Sequence, residues 1–270
     1  MLNQKLDARL EQLRAIVVFD IDGVVRDVAG SYRRALADTV EQFTQNAYRP
    51  TSQEIDTLKS EGTWNNDWEA SQELVYRYFE TQGTGRNLLA LSYQELITFF
   101  QSKYRGTDSG HWTGYICHEP LLLEPAYLDS LTQAGIGWGF FSGATRASAN
   151  YVLEKRLGLQ SPVLIAMEDA PGKPDPAGLF DSVQRLENEP EQTTPVIYVG
   201  DTVADMVTIE NARMQQPDRV WTAVGVLPPH VQQSAEQPEY VNILFQAGAD
   251  IVLNNVQELT PKKVFELTRP

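Results

Sequence analysis

Four short stretches of this 270-residue chain hold the side chains best suited to chemistry: FDIDG with Asp20 and Asp22, FSGATR with Ser142, Gly143 and Arg146, GKPDP with Lys173, and GDTVAD with Asp201 and Asp205. Carboxylates gathered without histidine or cysteine suit a hard cation, and Mg²⁺ takes one or two carboxylates together with water and substrate phosphate. Asp20 and Asp22 stand two residues apart, so along a strand they would share a face and repel unless something positive sat between them. A carboxylate that also reaches phosphorus can act as a nucleophile, dividing one difficult displacement into two easier ones through an aspartyl-phosphate. Asp20 is the candidate for that role. Asp22 is the candidate acid and base, giving a proton to the leaving oxygen and then taking one from the attacking water. Ser142 and backbone N–H groups near Gly143 can bind phosphoryl oxygens, while Lys173 compensates their charge and steadies Asp20.

Such residues need a scaffold that brings distant stretches together. The apolar runs AIVVFD, IGWGFFS, PVLIAM, PVIYVGD, RVWTAVGV and ADIVLN read as buried strands, and helical patterns such as Phe180, Val183 and Leu186 fall between the later ones. Alternating strands and helices imply a parallel sheet with helices on both faces, in which residues just past each strand converge on one crevice. The alternation breaks once, where about a hundred residues after the first strand carry only helical patterns. Tyr32, Leu36, Val40 and Phe43 keep one face; Thr51 with Glu54 and Ser92 with Glu95 look like capping boxes; Trp68, Leu74, Val75 and Phe79 mark another helix. The expected organisation is an α/β catalytic core over 1–26 and 116–270 with an all-helical cap inserted at 27–115. Within the cap, the loop GTWNNDW offers Asn66 and Asp67 as substrate contacts, with Trp68 to anchor them; in the rival reading Asn65 merely caps the helix beginning near Trp68. Arg26, Arg33 and Arg34 could reach substrate or simply solvate a cap helix, the second being the favoured expectation, and His111, His118 and His230 have no metal-ligand spacing.

The net charge of −14 argues against a broad nucleic-acid or anionic-membrane surface, so an anionic ligand needs a dedicated site. Cys117 is the only cysteine, which excludes an internal disulfide, and the opening MLNQKLDARLEQLRA is too charged for a signal peptide. No stretch approaches the roughly 20 apolar residues of a membrane span. The expectation is a cytoplasmic protein, monomeric or a small homo-oligomer, whose partner is a small phosphorylated metabolite.

The four motifs DIDGV, FSGATR, GKPDP and GDTVAD, in this order and at strand ends, resemble those of the haloacid dehalogenase superfamily. The resemblance covers 15–26 and roughly 120–255. It implies a Rossmann-like α/β core with a parallel sheet, an Asp20 nucleophile, an Asp22 acid/base, and Mg²⁺ bound by Asp20, Asp22 and the acids of the last motif, Asp201 and Asp205. The helical insert looks like the type-I cap of the phosphoglycolate phosphatase and β-phosphoglucomutase branch, and NNDW (Asn65–Trp68) with FQSKYRG (Phe100–Gly106) is similar to an uncharacterised subgroup of it. Where many relatives follow the first motif with a leucine, this chain runs DGVVRDVAGSYRRA. The resemblance implies a Mg²⁺-dependent phosphatase of a small phosphomonoester. A phosphomutase on the same core and a non-catalytic binding protein are the alternatives, and dehalogenation is disfavoured because it employs neither Mg²⁺ nor a second aspartate at position 22.

Overall fold

The computed structural model describes residues 13–64, 66–108, 110–187, 193–232 and 234–269; the charged N-terminal segment and Asn65, each the subject of a sequence reading, lie outside them. The chain divides into two compact units, Asp27–Pro120 and, around it in sequence, Met1–Arg26 with Leu121–Pro270.

Among its described residues the inserted unit carries four α-helices, α1 (Tyr32–Phe43), α2 (Ser52–Ser60), α3 (Asp67–Thr81) and α4 (Tyr93–Tyr104). α1 packs on α3 and α4, and Leu36 and Val40 of α1, Leu74 and Val75 of α3 and Leu96 and Phe100 of α4 are all buried. Local chemistry sets the helix starts. Thr51 and Glu54 form both arms of a capping box, and Ser92 accepts the Glu95 N–H at 3.3 Å. The unit runs five residues past the expected boundary at 115, to Pro120. The reason is the short turn Tyr115–His118, which belongs with the helices: Ile116 is buried, and the Tyr115 hydroxyl donates to Asp38 at 2.6 Å.

The enclosing unit is built on six parallel strands, β1 (Ala15–Phe19), β2 (Ile136–Phe141), β3 (Leu164–Ile165), β4 (Val196–Gly200), β5 (Trp221–Val226) and β6 (Ile251–Leu253), in the order β3-β2-β1-β4-β5-β6. Its helices are α5 (Pro125–Gln133), α6 (Arg146–Asn150, continued as a wider helical turn over Tyr151–Arg156), α7 (Ala177–Leu186), α8 (Val203–Gln215), α9 (Pro229–Gln232), α10 (Gln237–Gln246) and α11 (Pro261–Leu267). β1 is wholly buried because both its faces are covered. Ala15, Val17 and Phe19 join one core with Leu128 and Leu131 of α5 and Val264 of α11. Ile16 and Val18 join the other, with Leu179 of α7, Met206 and Ile209 of α8 and Leu244 of α10. The strand period of two thus divides one apolar run between two layers. The strand order reverses direction at β1 and β4, and an open parallel sheet forms its ligand crevice at the carboxyl ends of the strands that flank such a reversal. Among the described residues, no helix is long and apolar enough to cross a membrane.

Candidate active site

β1 and β4 end side by side and deliver carboxylates at once. The Asp20 N–H still donates to Val199 of β4 at 2.8 Å, so its side chain is fixed by the sheet itself. Asp201 follows Gly200 directly, and Asp205 lies in the first turn of α8. Asp20, Asp201 and Asp205 each offer a carboxylate oxygen within 4.8 Å of the others.

Asp205 is fully buried and has four donors: Oδ1 accepts Lys173 Nζ at 2.6 Å and the Tyr198 hydroxyl at 2.9 Å, while Oδ2 accepts the Thr202 N–H at 3.0 Å and its hydroxyl at 2.6 Å. Thr202 is the N-cap of α8, and with Asp205 it closes a capping box. Burial pushes the Asp205 carboxyl up, but Lys173, Thr202 and Tyr198 outweigh it and hold the group below its ordinary value. Lys173 bridges to Asp20 Oδ1 at 2.9 Å, with its ammonium 5.4 Å from the Phe141 ring and 5.5 Å from the Tyr198 ring. Burial alone would discharge it, yet Asp20 and Asp205 keep it protonated, well above the usual lysine range.

The other two carboxyls respond differently. Burial pushes Asp20 up to about 7, against the pull of Lys173 and with the charges of Asp205 and Asp22 adding to the rise. Desolvation, then the Asp205 and Asp20 charges, raise Asp201 well above the carboxylate range. Three carboxylates facing one ammonium hold more negative charge than the protein compensates. An all-oxygen donor set with that excess fits a hard divalent cation.

Two glycines make this closeness possible. A Cβ on Gly23, whose φ is +74°, would stand 2.0 Å from Asp201 Oδ2, and one on Gly200 would stand 2.2 Å from Asp205 Cβ. Gly23 therefore meets a left-handed turn and a close approach together.

The expected placement of Asp22 needs correction. Strand geometry stops at Phe19, and the chain turns over at Gly23, with the Val25 N–H donating to Ile21 at 2.8 Å. The two-residue rule for a shared face therefore no longer applies, and the Asp22 carboxylate falls outside the group of three. It is instead held by Arg26, from Nε at 2.7 Å and Nη2 at 2.6 Å, both on Oδ1. Arg26 is buried, contrary to the expectation of a solvated side chain. Ser142 is also buried; its Oγ accepts the Ala144 N–H at 3.1 Å, which folds the strand end around Gly143. In the other unit Asn66 is the N-cap of α3, accepting the Trp68 N–H at 2.9 Å, and Asp67 pairs with Lys59 at 2.6 Å. Both polar side chains thus have local partners.

Sequence reasoning missed Tyr198, Thr202 and Tyr240, whose hydroxyl donates to the Asp201 carbonyl at 2.8 Å. The Thr202-x-x-Asp205 spacing is itself a capping-box signal and could have been found. Nothing local announces a tyrosine that acts from 39 residues away.

A family model described as haloacid dehalogenase-like hydrolase matches residues 15–213. A curated relative, imidazoleglycerol-phosphate dehydratase of Phytophthora nicotianae, is 29% identical over 243 residues, covering 88% of this chain and 49% of that protein. The chain thus spans about half the length of the curated relative it matches. Among solved structures, a phosphonoacetaldehyde hydrolase-like protein of Oleispira antarctica superposes with a TM-score of 0.65 at 17% identity, covering 96% of this chain and 93% of that one. Phosphatase Tt82 of Thermococcus thioreducens gives 0.59 at 21%, covering 78% and 92%, and CbbY of Rhodobacter sphaeroides, in complex with phosphate, 0.61 at 15%, covering 92% and 96%. At these identities the likeness concerns the fold.

Proposed function

The chain belongs to the haloacid dehalogenase-like hydrolases, and from that premise we propose that it hydrolyses a small phosphomonoester in two steps with Mg²⁺ as cofactor. The observation that carries this reading is Lys173, which bridges Asp20 and Asp205 where β1 and β4 end beside Asp201.

In the first step an Asp20 oxygen bonds to phosphorus, the bond from phosphorus to the ester oxygen breaks, and Asp22 gives its proton to that oxygen as it leaves. In the second, water bonds to phosphorus, the bond to Asp20 breaks, and the water proton passes to Asp22. Both carboxyls return to their starting states. Lys173 stays charged throughout, steadying Asp20 and facing the anionic phosphoryl group, and Ser142 with the loop at Gly143 is assigned to the phosphoryl oxygens. Mg²⁺ would be held by Asp20 and Asp201, with Asp205 as the third carboxylate behind them, and when bound it offsets charge on the phosphoryl oxygens. The Asp205 oxygens already accept four hydrogen bonds, which suits it to holding Lys173 in place.

The reading carries with it a cytoplasmic location, a small phosphorylated metabolite as partner, and a monomer or small homo-oligomer. Release of inorganic phosphate should be screened over sugar phosphates, phosphoglycolate, amino-alcohol phosphates and nucleotides. An imidazole-bearing polyol phosphate joins the panel because the curated relative is named for one. Phosphate released without a bisphosphate activator, and a beryllofluoride adduct on Asp20, are the expected results. An adduct on another residue would overturn the assignment, and turnover only with a bisphosphate would make the protein a mutase.

A further inference from the structure

Arg26 has no part in the steps above, yet it is fully buried and aimed at the one carboxyl that must move a proton. Resting on the two-step reading, we infer that Arg26 is the positioning residue for Asp22, fixing Oδ1 so that Oδ2 is the atom that carries the transferred proton.

The geometry is specific. The two contacts from Arg26 to Asp22, Nε at 2.7 Å and Nη2 at 2.6 Å, converge on the same oxygen. An oxygen that already accepts two charged donors is the poorer place for a proton, which leaves the other. The backbone holds the same turn from beneath: the Gly23 N–H donates to the Arg26 carbonyl at 2.9 Å, and the Arg26 N–H to Ile21 at 3.2 Å. The Asp22 side chain is 30% exposed, whereas that of Arg26 is only 1% exposed. A carboxylate facing water would otherwise rotate among several orientations, and one anchored to a buried guanidinium does not.

Stability gives little reason for an arginine here. Burying a guanidinium is costly, and replacing a buried ion pair by apolar side chains of similar volume is often neutral or stabilising. Lysine would supply the charge without the planar fork that presents two N–H groups to one oxygen. Orientation of Asp22 is a requirement that an arginine here meets.

The test uses leaving groups. p-Nitrophenolate departs without a proton, whereas the alkoxide of glycerol 2-phosphate needs one, and kcat/KM reports only the steps up to transfer of the phosphoryl group to Asp20. Arg26→Met and Arg26→Lys are made in the wild-type protein and in Asp22→Asn, and thermal unfolding checks that each variant is folded. Arg26→Met should lower kcat/KM for glycerol 2-phosphate by about 10- to 100-fold, within the range a general acid supplies, and at least about ten-fold less for p-nitrophenyl phosphate. Arg26→Lys should recover part of the loss. In the Asp22→Asn background, Arg26→Met should cost nothing further, because the group it positions is already disabled. Equal losses on both esters, or a full additional loss in Asp22→Asn, would overturn the inference. If Arg26→Met does not fold, the ester ratio of Arg26→Lys decides: a ratio equal to wild type counts against positioning. Should Asp22→Asn alone leave glycerol 2-phosphate turnover intact, the acid role assigned to Asp22 fails first and takes this inference with it.

Discussion

Adding a single methyl group at Gly23 should separate the chemistry of this site from its scaffold. The Cβ of Gly23→Ala would lie 2.0 Å from Asp201 Oδ2 and 2.5 Å from its Cγ, where ordinary contact begins at 3.4 Å. The Asp201 carboxylate must therefore retreat by more than about 1 Å, a displacement of the size that can cost on the order of 10²-fold in rate when it falls on a reacting constellation. The same substitution also forces alanine into a left-handed conformation, which costs about 1–2 kcal/mol. Gly158 isolates that second cost, since it has the same φ of +74° and nothing within 4 Å of its would-be Cβ. Gly158→Ala should lose about 1–2 kcal/mol in denaturant unfolding with kcat/KM unchanged. Gly23→Ala should lose at least as much stability, about 10²-fold in kcat/KM, and much of its apparent Mg²⁺ affinity. The measurements are urea unfolding and Mg²⁺ titration of phosphate release for both variants. If Gly23→Ala matched Gly158→Ala in activity and metal requirement, Asp201 would not be the carboxylate on which the chemistry depends.

Four further outcomes follow from the same geometry. Excess EDTA should abolish phosphate release, with Mg²⁺ restoring it, and Asp201→Asn should raise the Mg²⁺ concentration needed for half-activity; full turnover in EDTA would refute the metal assignment. Lys173→Met leaves Asp20 and Asp205 buried without their shared counter-charge, so unfolding free energy should fall by about 3–5 kcal/mol and turnover should vanish. Tyr198→Phe removes one of the four donors to a buried carboxylate and should cost about 1.5–3 kcal/mol by denaturant unfolding, whereas an unchanged midpoint would mean that Lys173 and Thr202 hold Asp205 alone. Asn66→Ala removes the α3 cap and should cost about 1 kcal/mol with equal effect on all substrates; a loss confined to one substrate would instead restore Asn66 to substrate recognition.

The candidate catalytic stretches are legible because each lies where an unbroken apolar run meets polar residues, and β1 and β4, buried along their whole length, are such runs. The helical unit was legible for a similar reason: Thr51 with Glu54 is a local signal, and the capping box it announces is present. Readings went astray where a local rule met a long-range fact. The two-residue alternation misplaced Asp22 because the strand ends three residues earlier, at Phe19, although Gly23 was there as a turn signal. Arg26 is expected in solvent because arginines usually are solvated, whereas here it is buried and paired with Asp22. The adjacency of β1 and β4, on which the whole site depends, joins residues some 180 positions apart, and no periodicity encodes it.

A chain of net charge −14 that is proposed to take a phosphate dianion into a nest of aspartates needs an electrostatic explanation. Asp22, when ionised, adds to the rise of Asp20 and Asp201, and the Arg26 guanidinium on its Oδ1 carries the opposite charge. Asp20, Asp201 and Asp205 with Lys173 leave an excess of two negative charges when all are ionised. A divalent cation cancels that excess, and the two raised carboxyls, Asp20 and Asp201, are the ones such an ion would return to the ionised state. Asp205 needs no such help, because Lys173, Tyr198 and Thr202 already keep it below the ordinary value. On the proposed reading the site is thus divided into a part that is complete within the protein and a part whose charge a divalent cation would balance. Substrate phosphate should therefore bind tightly only after the metal, and its apparent affinity should rise with Mg²⁺ until the metal site saturates. Inorganic phosphate, titrated calorimetrically with and without Mg²⁺, measures this directly; equal affinity in the two conditions would show that the excess charge is offset in some other way.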